Sequence, residues 1–165
     1  MSFIKSAKRT IQLESEAIVG LSAQIDENFS IAASICANCR GRIVVSGMGK
    51  SGHIGRKISA TLASTGTPSF FMHPAEASHG DLGMLTSSDV VLALSNSGAS
   101  VEILALIPAI KRRGIPLISI TGASSSKLAQ VSEAHLSVRV NKEACPLNLA
   151  PTSSTTALHW MRQKK

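Results

Sequence analysis

Five short apolar runs, separated by polar turns and longer helical stretches, constrain the fold of this chain more than any other feature. Nearly every position in these runs is apolar, which is typical of strands covered on both faces of a parallel sheet. The runs cover residues 43–45, 69–72, 90–94, 117–120 and 136–138. Because helical segments lie between the first and second runs and between the third and fourth, the pattern predicts an α/β fold, a three-layer αβα sandwich with a five-stranded parallel sheet.

The N-terminal region has the period of amphipathic helices instead. From Ile4 to Ile35 the apolar residues recur at three- and four-residue steps, the spacing of one helix face. Gly20 is expected to divide this region into two helices. A further helix is expected to open at residues 152–156, where Thr and Ser side chains are suited to capping.

Length and composition limit the class of protein. A chain of 165 residues with 44% apolar and 16% charged residues can bury a core and is expected to form one domain, residues 1–165. Its apolar runs fall well short of the roughly 18 residues that a spanning helix needs, and its N-terminus lacks the apolar segment of a signal peptide. We therefore expect no membrane association and a cytoplasmic location.

The three cysteines suit a reducing compartment, because an odd number cannot form a closed set of disulfides. Cys36 and Cys39 make a single C-x-x-C pair. Packing at the end of a helix is a better interpretation of this pair than zinc binding or redox chemistry, because a structural zinc site needs four ligands.

The formal net charge of +7 indicates an anionic ligand or a nucleic acid. Four Phe and one Trp are few for stacking on bases, and the basic residues are scattered along the chain. The sequence therefore favours a phosphorylated small molecule, and we expect no nucleic-acid partner.

A glycine-rich loop, residues 47–52, joins the first predicted strand to a helix predicted from about residue 53 to 64. Backbone N–H groups and a positive helix end make this loop an anion site, with Gly49, Lys50 and Ser51 as candidate ligands. A Walker P-loop would need another glycine where the strand lies. The dinucleotide pattern G-x-G-x-x-G is present, but the second strand ends at Met72 without the acidic residue that a ribose requires. We expect no nucleotide or other cofactor.

A second polar loop, residues 95–100, joins the third strand to a helix predicted over residues 101–113. The loop is either a polar turn with Ser100 as the helix N-cap or a phosphate site formed by Ser95, Ser97 and Ser100. Two anion-binding loops at adjacent strand ends favour the phosphate site.

Each of the titratable residues near these loops has more than one possible role. Glu102 is either an acid that stabilises the first turn of a helix or a base that removes a proton next to a sugar carbonyl. His73 and His79 are possible metal ligands, but two histidines six residues apart are a weak metal signal, and acid–base use is the better interpretation. We expect no resident metal.

These stretches resemble the sugar isomerase (SIS) domain of D-arabinose 5-phosphate isomerases. The matching segments read VVSGMGKSGHIGRK, STGTPSFFMHPAEASHGDLGM, SNSGASVEILALIP and VNKEACPLNLAPTSSTTA. The resemblance implies a flavodoxin-like fold and the interconversion of D-ribulose 5-phosphate and D-arabinose 5-phosphate through an enediol. The product would supply Kdo for lipopolysaccharide or capsule.

The resemblance also assigns residues. Catalytic roles would fall on Lys50, His79, Glu102 and Glu143, and phosphate binding on Ser95, Ser97 and Ser100. Thr152 joins the substrate-binding set at the start of the last predicted helix.

Assembly is a further implication of the resemblance. Members of the family form homo-oligomers, and we expect a tetramer whose His79 loop faces another subunit and whose N-terminal helices supply apolar contact surface. The family pattern continues beyond the last residues of this chain, so we also expect a truncated protein. The alternative function is therefore a noncatalytic phosphosugar-binding module or an inactive paralogue.

Overall fold

The fold is built on one parallel sheet of five strands, in a computed structural model that describes residues 2–145, 147 and 151–160. The strands are β1 (Ile43–Gly47), β2 (Ser69–Met72), β3 (Val90–Leu94), β4 (Leu117–Thr121) and β5 (Ala134–Ser137), in the spatial order β2-β1-β3-β4-β5. The predicted five-stranded parallel sheet is confirmed. The last strand begins two residues before the predicted position, because Ala134 and His135 pair with β4 although the histidine interrupts the apolar run.

Seven α-helices surround this sheet in the described part of the chain. They are α1 (Phe3–Leu21), α2 (Glu27–Ala37), α3 (Gly49–Ser64), α4 (Pro74–Ser78), α5 (Val101–Arg112), α6 (Lys127–Val131) and α7 (Thr152–Trp160), with 3₁₀ turns at Ser22–Gln24 and Asp81–Met84. Within the described ranges, every helix is too short or too polar to cross a membrane.

The prediction that Gly20 divides the N-terminal region is wrong. Helix α1 continues through Gly20 to Leu21, and the break comes at the 3₁₀ turn that follows. A single glycine costs a helix only about 1 kcal/mol, which is too little to end a helix that packs against α7. The second helix starts where Asp26 accepts a hydrogen bond from the backbone N–H of Asn28 at 2.9 Å.

Alternate residues of the strands face two separate apolar layers. Val45 packs with residues of α2, α3 and α7, whereas the neighbouring Val44 packs with residues of α4, α5 and α6. The predicted three-layer αβα sandwich is therefore confirmed. Cys36 and Cys39 pack against the first of these layers at the end of α2, as the sequence analysis predicts.

The strand order has a consequence for where a ligand can bind. Strands β1 and β3 are neighbours, but the helices that follow them, α3 and α5, pack in opposite layers. The two connecting loops therefore separate at the carboxyl edge of the sheet and leave a crevice between them, which is the usual ligand position in such folds.

Candidate functional site

A cleft of about 440 Å³ opens at the carboxyl edge of the sheet, above β1 and β3. Its polar wall is formed by Lys50 and Ser51 of α3, Ser95 and Asn96 after β3, and Ser153 and Ser154 of α7. Its apolar floor is formed by Ile54, Leu94, Ile120, Val138 and Ala157. The cleft thus brings together segments that are about 100 residues apart in the chain, with a volume within the roughly 300–1,000 Å³ common for small-molecule sites.

The helix that follows the glycine-rich loop begins earlier than predicted. Helix α3 begins at Gly49, so Lys50 and Ser51 belong to its first turn rather than to a loop before it. Gly49 has a φ of +52°, which favours glycine. A Cβ on Gly52 would lie 2.7 Å from the carbonyl oxygen of Gly47, so only glycine lets this helix start so close to the strand. The positive end of α3 therefore lies at the cleft wall.

The serine loop after β3 contributes one of its three predicted phosphate ligands to the described cleft lining. Ser95 is buried, and its Oγ lies 2.8 Å from the Oγ of Ser100. Ser100 occupies the N-cap position of α5, but its hydroxyl contacts Ser95 instead of an α5 N–H in the described structure. The Oγ of Ser97 accepts a hydrogen bond from the backbone N–H of Ala99 at 3.2 Å.

Glu143 is held at the start of α7. Its carboxylate accepts a hydrogen bond from the backbone N–H of Thr152, and the Oγ1 of Thr152 accepts one from the N–H of Ala144 at 3.0 Å. This pair of bonds fixes Glu143 and Ala144 at the start of α7 and places a carboxylate at the positive end of that helix. The Thr152 side chain is fully buried, so its hydroxyl is engaged within the protein.

Ser153 and Ser154 are not among the residues predicted from the sequence. They lie directly after Thr152 and line the cleft. The signal that could have found them is the run of hydroxyl residues at positions 152–156, which the sequence analysis interprets as capping residues.

Glu143, Thr152 and the remaining predicted site residues lie outside the described lining of the cleft. Glu102 is exposed in the first turn of α5, and His79 is exposed just after α4. His73 precedes α4, and its Nδ1 is buried without a hydrogen-bond partner among the described residues. Across the part of the chain that the structure describes, no group of three His, Cys, Asp or Glu side chains could hold a metal ion.

The charges around the cleft suit an anionic sugar. The cation of Lys50 and the N-terminal ends of α3 and α7 are complementary to a phosphate, and the Glu143 carboxylate provides a group that can accept a proton. The floor is apolar and excludes water from one side of a bound molecule.

Comparison with known proteins gives consistent results. The SIS domain family model matches residues 37–163. Arabinose 5-phosphate isomerase KdsD of Pseudomonas aeruginosa is 62% identical over 156 residues, and that of Escherichia coli K12 is 58% identical over 155 residues, each match covering 94% of this chain. The solved structure of E. coli CFT073 c3406 in complex with arabinose 5-phosphate superposes with a TM-score of 0.91 at 41% identity, and the match covers 98% of this chain and 88% of that one.

The lengths of these proteins differ. The matches cover 48% of the Pseudomonas relative and 47% of the E. coli relative, so the chain spans about half the length of the curated relatives it matches.

Proposed function

Because the chain belongs to the SIS domain family, and within it to the arabinose 5-phosphate isomerases of the KdsD type, we propose that it interconverts D-ribulose 5-phosphate and D-arabinose 5-phosphate. The observation that carries this proposal is the cleft, in which Lys50, Ser51 and Ser95 lie across from the start of α7, where the Glu143 carboxylate is bonded to the backbone of Thr152. The arabinose 5-phosphate would be consumed in Kdo synthesis.

The 5-phosphate would lie against Lys50, Ser51 and Ser95. The N-terminal end of α3 and the Lys50 cation at this wall favour a dianion, and the buried Ser95 hydroxyl can donate a hydrogen bond to it. The sugar chain would then extend toward α7, where Ser153 and Ser154 can donate to its hydroxyl groups. In this arrangement the carbons that react, C1 and C2, lie far from the phosphate and near the α7 wall.

Proton transfer between C1 and C2 is the chemical step. A base removes a proton from C1 of ribulose 5-phosphate to form a cis-enediol, the hydroxyl hydrogen moves from O1 to O2, and the proton returns to C2. Glu143 is the base in this proposal because its carboxylate is held at the start of α7 by Thr152, next to Ser153 and Ser154 of the cleft wall. Glu102 is the alternative base, and its exposed position in this chain makes it second choice.

Charge develops on the enediolate oxygens during this step and must be stabilised. Lys50 is the cation in the described cleft lining, so it serves the phosphate or the enediolate. His79 would assist ring opening or polarise the carbonyl. Since His79 is exposed on its own subunit, this role requires the neighbouring subunit of a homo-oligomer, which we propose is a tetramer.

Solvent exchange tests the proposal. Ribulose 5-phosphate incubated with the protein in deuterated water should give arabinose 5-phosphate that carries deuterium at C2. Glu143→Gln should lower the rate at least about a hundredfold, as expected for loss of a general base, while Glu102→Gln, the matched control, should retain most of it. The proposal is overturned if the wild-type protein exchanges no faster than Lys50→Ala.

A phosphosugar-binding module without turnover is the second candidate function. It is favoured by the exposure of His79 and Glu102 and by the described lining of the cleft, which includes Lys50 but not His79, Glu102 or Glu143. Thermal-shift titration with arabinose 5-phosphate, run beside the exchange assay, separates the two functions. Binding without exchange supports the module, and binding with exchange supports the isomerase.

A further inference from the structure

The β4 loop, which runs from Thr121 at the end of β4 to Ser126, lies against the serine loop of residues 95–100. The backbone N–H of Gly122 donates to the carbonyl oxygen of Asn96 at 2.9 Å, and the N–H of Leu128 donates to the carbonyl oxygen of Gly98 at 3.3 Å. The serine loop is therefore bonded through its backbone to the β4 loop and to the first turn of α6.

The two loops also touch at their glycines. Gly98 has a φ of +62°, and a Cβ added to it would lie 2.0 Å from the Oγ of Ser126. A Cβ added to Gly122 would lie 2.6 Å from the Oδ1 of Asn96. These contacts, together with the two backbone hydrogen bonds, couple the position of the serine loop to that of the β4 loop.

Thr121 fixes the shape of the β4 loop from its start. The buried Thr121 hydroxyl donates to the carbonyl oxygen of Ala123 at 3.0 Å and accepts from the N–H of the same residue at 3.1 Å. The Nε2 of His135 lies 2.9 Å from the same hydroxyl. Because the single hydroxyl proton is used on Ala123, the ring donates its Nε2–H to Thr121.

The protonation of His135 agrees with this arrangement. Burial lowers the pKa of His135, and the contact with Thr121 and the charge of Asp26 offset the decrease only in part. The ring is therefore neutral at pH 7 with one N–H, and the bond to Thr121 selects its Nε2 tautomer.

We propose that Thr121 and His135 are positioning residues for phosphate binding, which fix the serine loop through the β4 loop. This inference rests on the proposed phosphosugar site and deepens it, because neither residue belongs to the described cleft lining. His135 holds the Thr121 hydroxyl, and Thr121 in turn holds the backbone of Ala123. The β4 loop, through Gly122, then holds the backbone of the serine loop at Asn96 and beside Gly98.

The experiment compares Thr121→Val with Thr121→Ser in the full chain. Valine has the shape of threonine without the hydroxyl, and serine keeps the hydroxyl. The dissociation constant for arabinose 5-phosphate, measured by calorimetry, should rise about five- to tenfold in Thr121→Val, as expected for loss of a buried hydrogen bond, and stay within twofold of wild type in Thr121→Ser. His135→Leu should resemble Thr121→Val, while His135→Gln, which keeps a donor, should have a smaller effect.

Hydrogen exchange at the amides of residues 96–100 provides a second readout that needs no ligand. These amides should exchange faster in Thr121→Val than in Thr121→Ser. A merely structural role for Thr121 would lower the melting temperature and leave both the dissociation constant and these amides unchanged, and that result would overturn the inference.

The failure of the proposed function gives a different pattern. If wild-type protein binds no phosphosugar, the proposed function is wrong, and the amide exchange alone then decides whether Thr121 fixes the serine loop. Faster exchange in Thr121→Val supports the positioning role, and equal exchange in the two variants overturns it.

Discussion

Asp89 is a buried carboxylate at the amino edge of the sheet, opposite the cleft. It accepts hydrogen bonds from the backbone N–H groups of Arg42 and Thr86, each at 2.8 Å, and from the Nε and Nη2 of Arg42 at 3.3 and 3.1 Å. Burial by itself would raise the pKa of Asp89, but the bonds from Arg42 and Thr86 outweigh it and hold the pKa below its ordinary value of 3.8. The carboxylate therefore stabilises the fold in its charged form.

Stability should decrease in acid because of this residue. A carboxyl group whose pKa is lowered by folding contributes stability above its unfolded pKa and loses that contribution as the pH falls through its folded pKa. Asp89→Asn should lower the free energy of unfolding at pH 7 by about 1–3 kcal/mol, since it removes the charge-assisted hydrogen bonds from Arg42, whose side chain is partly exposed to water. The difference in free energy of unfolding between wild type and Asp89→Asn should decrease below about pH 4. Urea unfolding of both proteins at pH 7 and pH 3 measures this difference. An equal difference at the two pH values would contradict the proposed role of the Asp89 charge.

Residues of the site can be predicted from the sequence where a motif also fixes their position. Lys50 and Ser51 follow a glycine pattern at a strand end, and Ser95 ends the next strand in the crevice. Ser153 and Ser154 cannot be found in this way, because their place in the cleft depends on the packing of α7 against α3. Local pattern contains no information on that contact.

At the scale of elements, the start of α3 determines the shape of the anion site. The helix can approach β1 only because Gly52 faces the carbonyl oxygen of Gly47. Gly52→Ala should lower the free energy of unfolding by about 1–3 kcal/mol, because the added methyl group overpacks this contact. It should also weaken phosphosugar binding, since Lys50 and Ser51 would move with the helix.

Gly20→Ala is the matched control for this variant. Gly20 lies inside α1, where an added Cβ has no described neighbour within 4 Å. This change should raise the free energy of unfolding by about 0.5–1 kcal/mol through helix propensity. Thermal unfolding and calorimetric titration of both variants provide the comparison, and equal effects in the two would show that the Gly52 contact is unimportant.

Elements differ in how well the sequence predicts them. The central strands β1, β3 and β4 are apolar on both faces, and the sequence predicts their bounds to within two residues. The start of β5 escapes prediction because His135 counts as polar until its bond to Thr121 is known. The end of α1 escapes it because tertiary packing, not Gly20, determines where the helix stops.

At the scale of the whole molecule, the first three turns of α1 have apolar side chains that no other described part of the chain covers. Residues 2–12 are all exposed, including Phe3 at 93%, Ile4 at 69% and Ile11 at 67%. A helix of this length without packing is marginal in water, and its apolar side chains need a cover. We expect another copy of the chain to supply it.

Light scattering at micromolar concentration should therefore detect a homo-oligomer, with a tetramer as the expected species. Ile4→Glu combined with Ile11→Glu should shift the distribution to smaller species and reduce activity, because His79 would lose its neighbouring subunit. Arg9→Glu, which makes the same change in charge on the opposite face of α1, is the control and should assemble normally. A monomeric wild-type protein would refute the assembly and weaken the case for catalysis.

The bond between Glu143 and Thr152 has a stereochemical consequence for the proposed reaction. One oxygen of the carboxylate is engaged by the helix, so in the proposed reaction the proton would be taken and returned by a single group fixed at the start of α7. Removal and delivery then occur on the same face of the planar enediol. The two hydrogens on C1 of ribulose 5-phosphate are therefore inequivalent to the enzyme, and only one of them should be replaced by deuterium, however long the mixture is incubated.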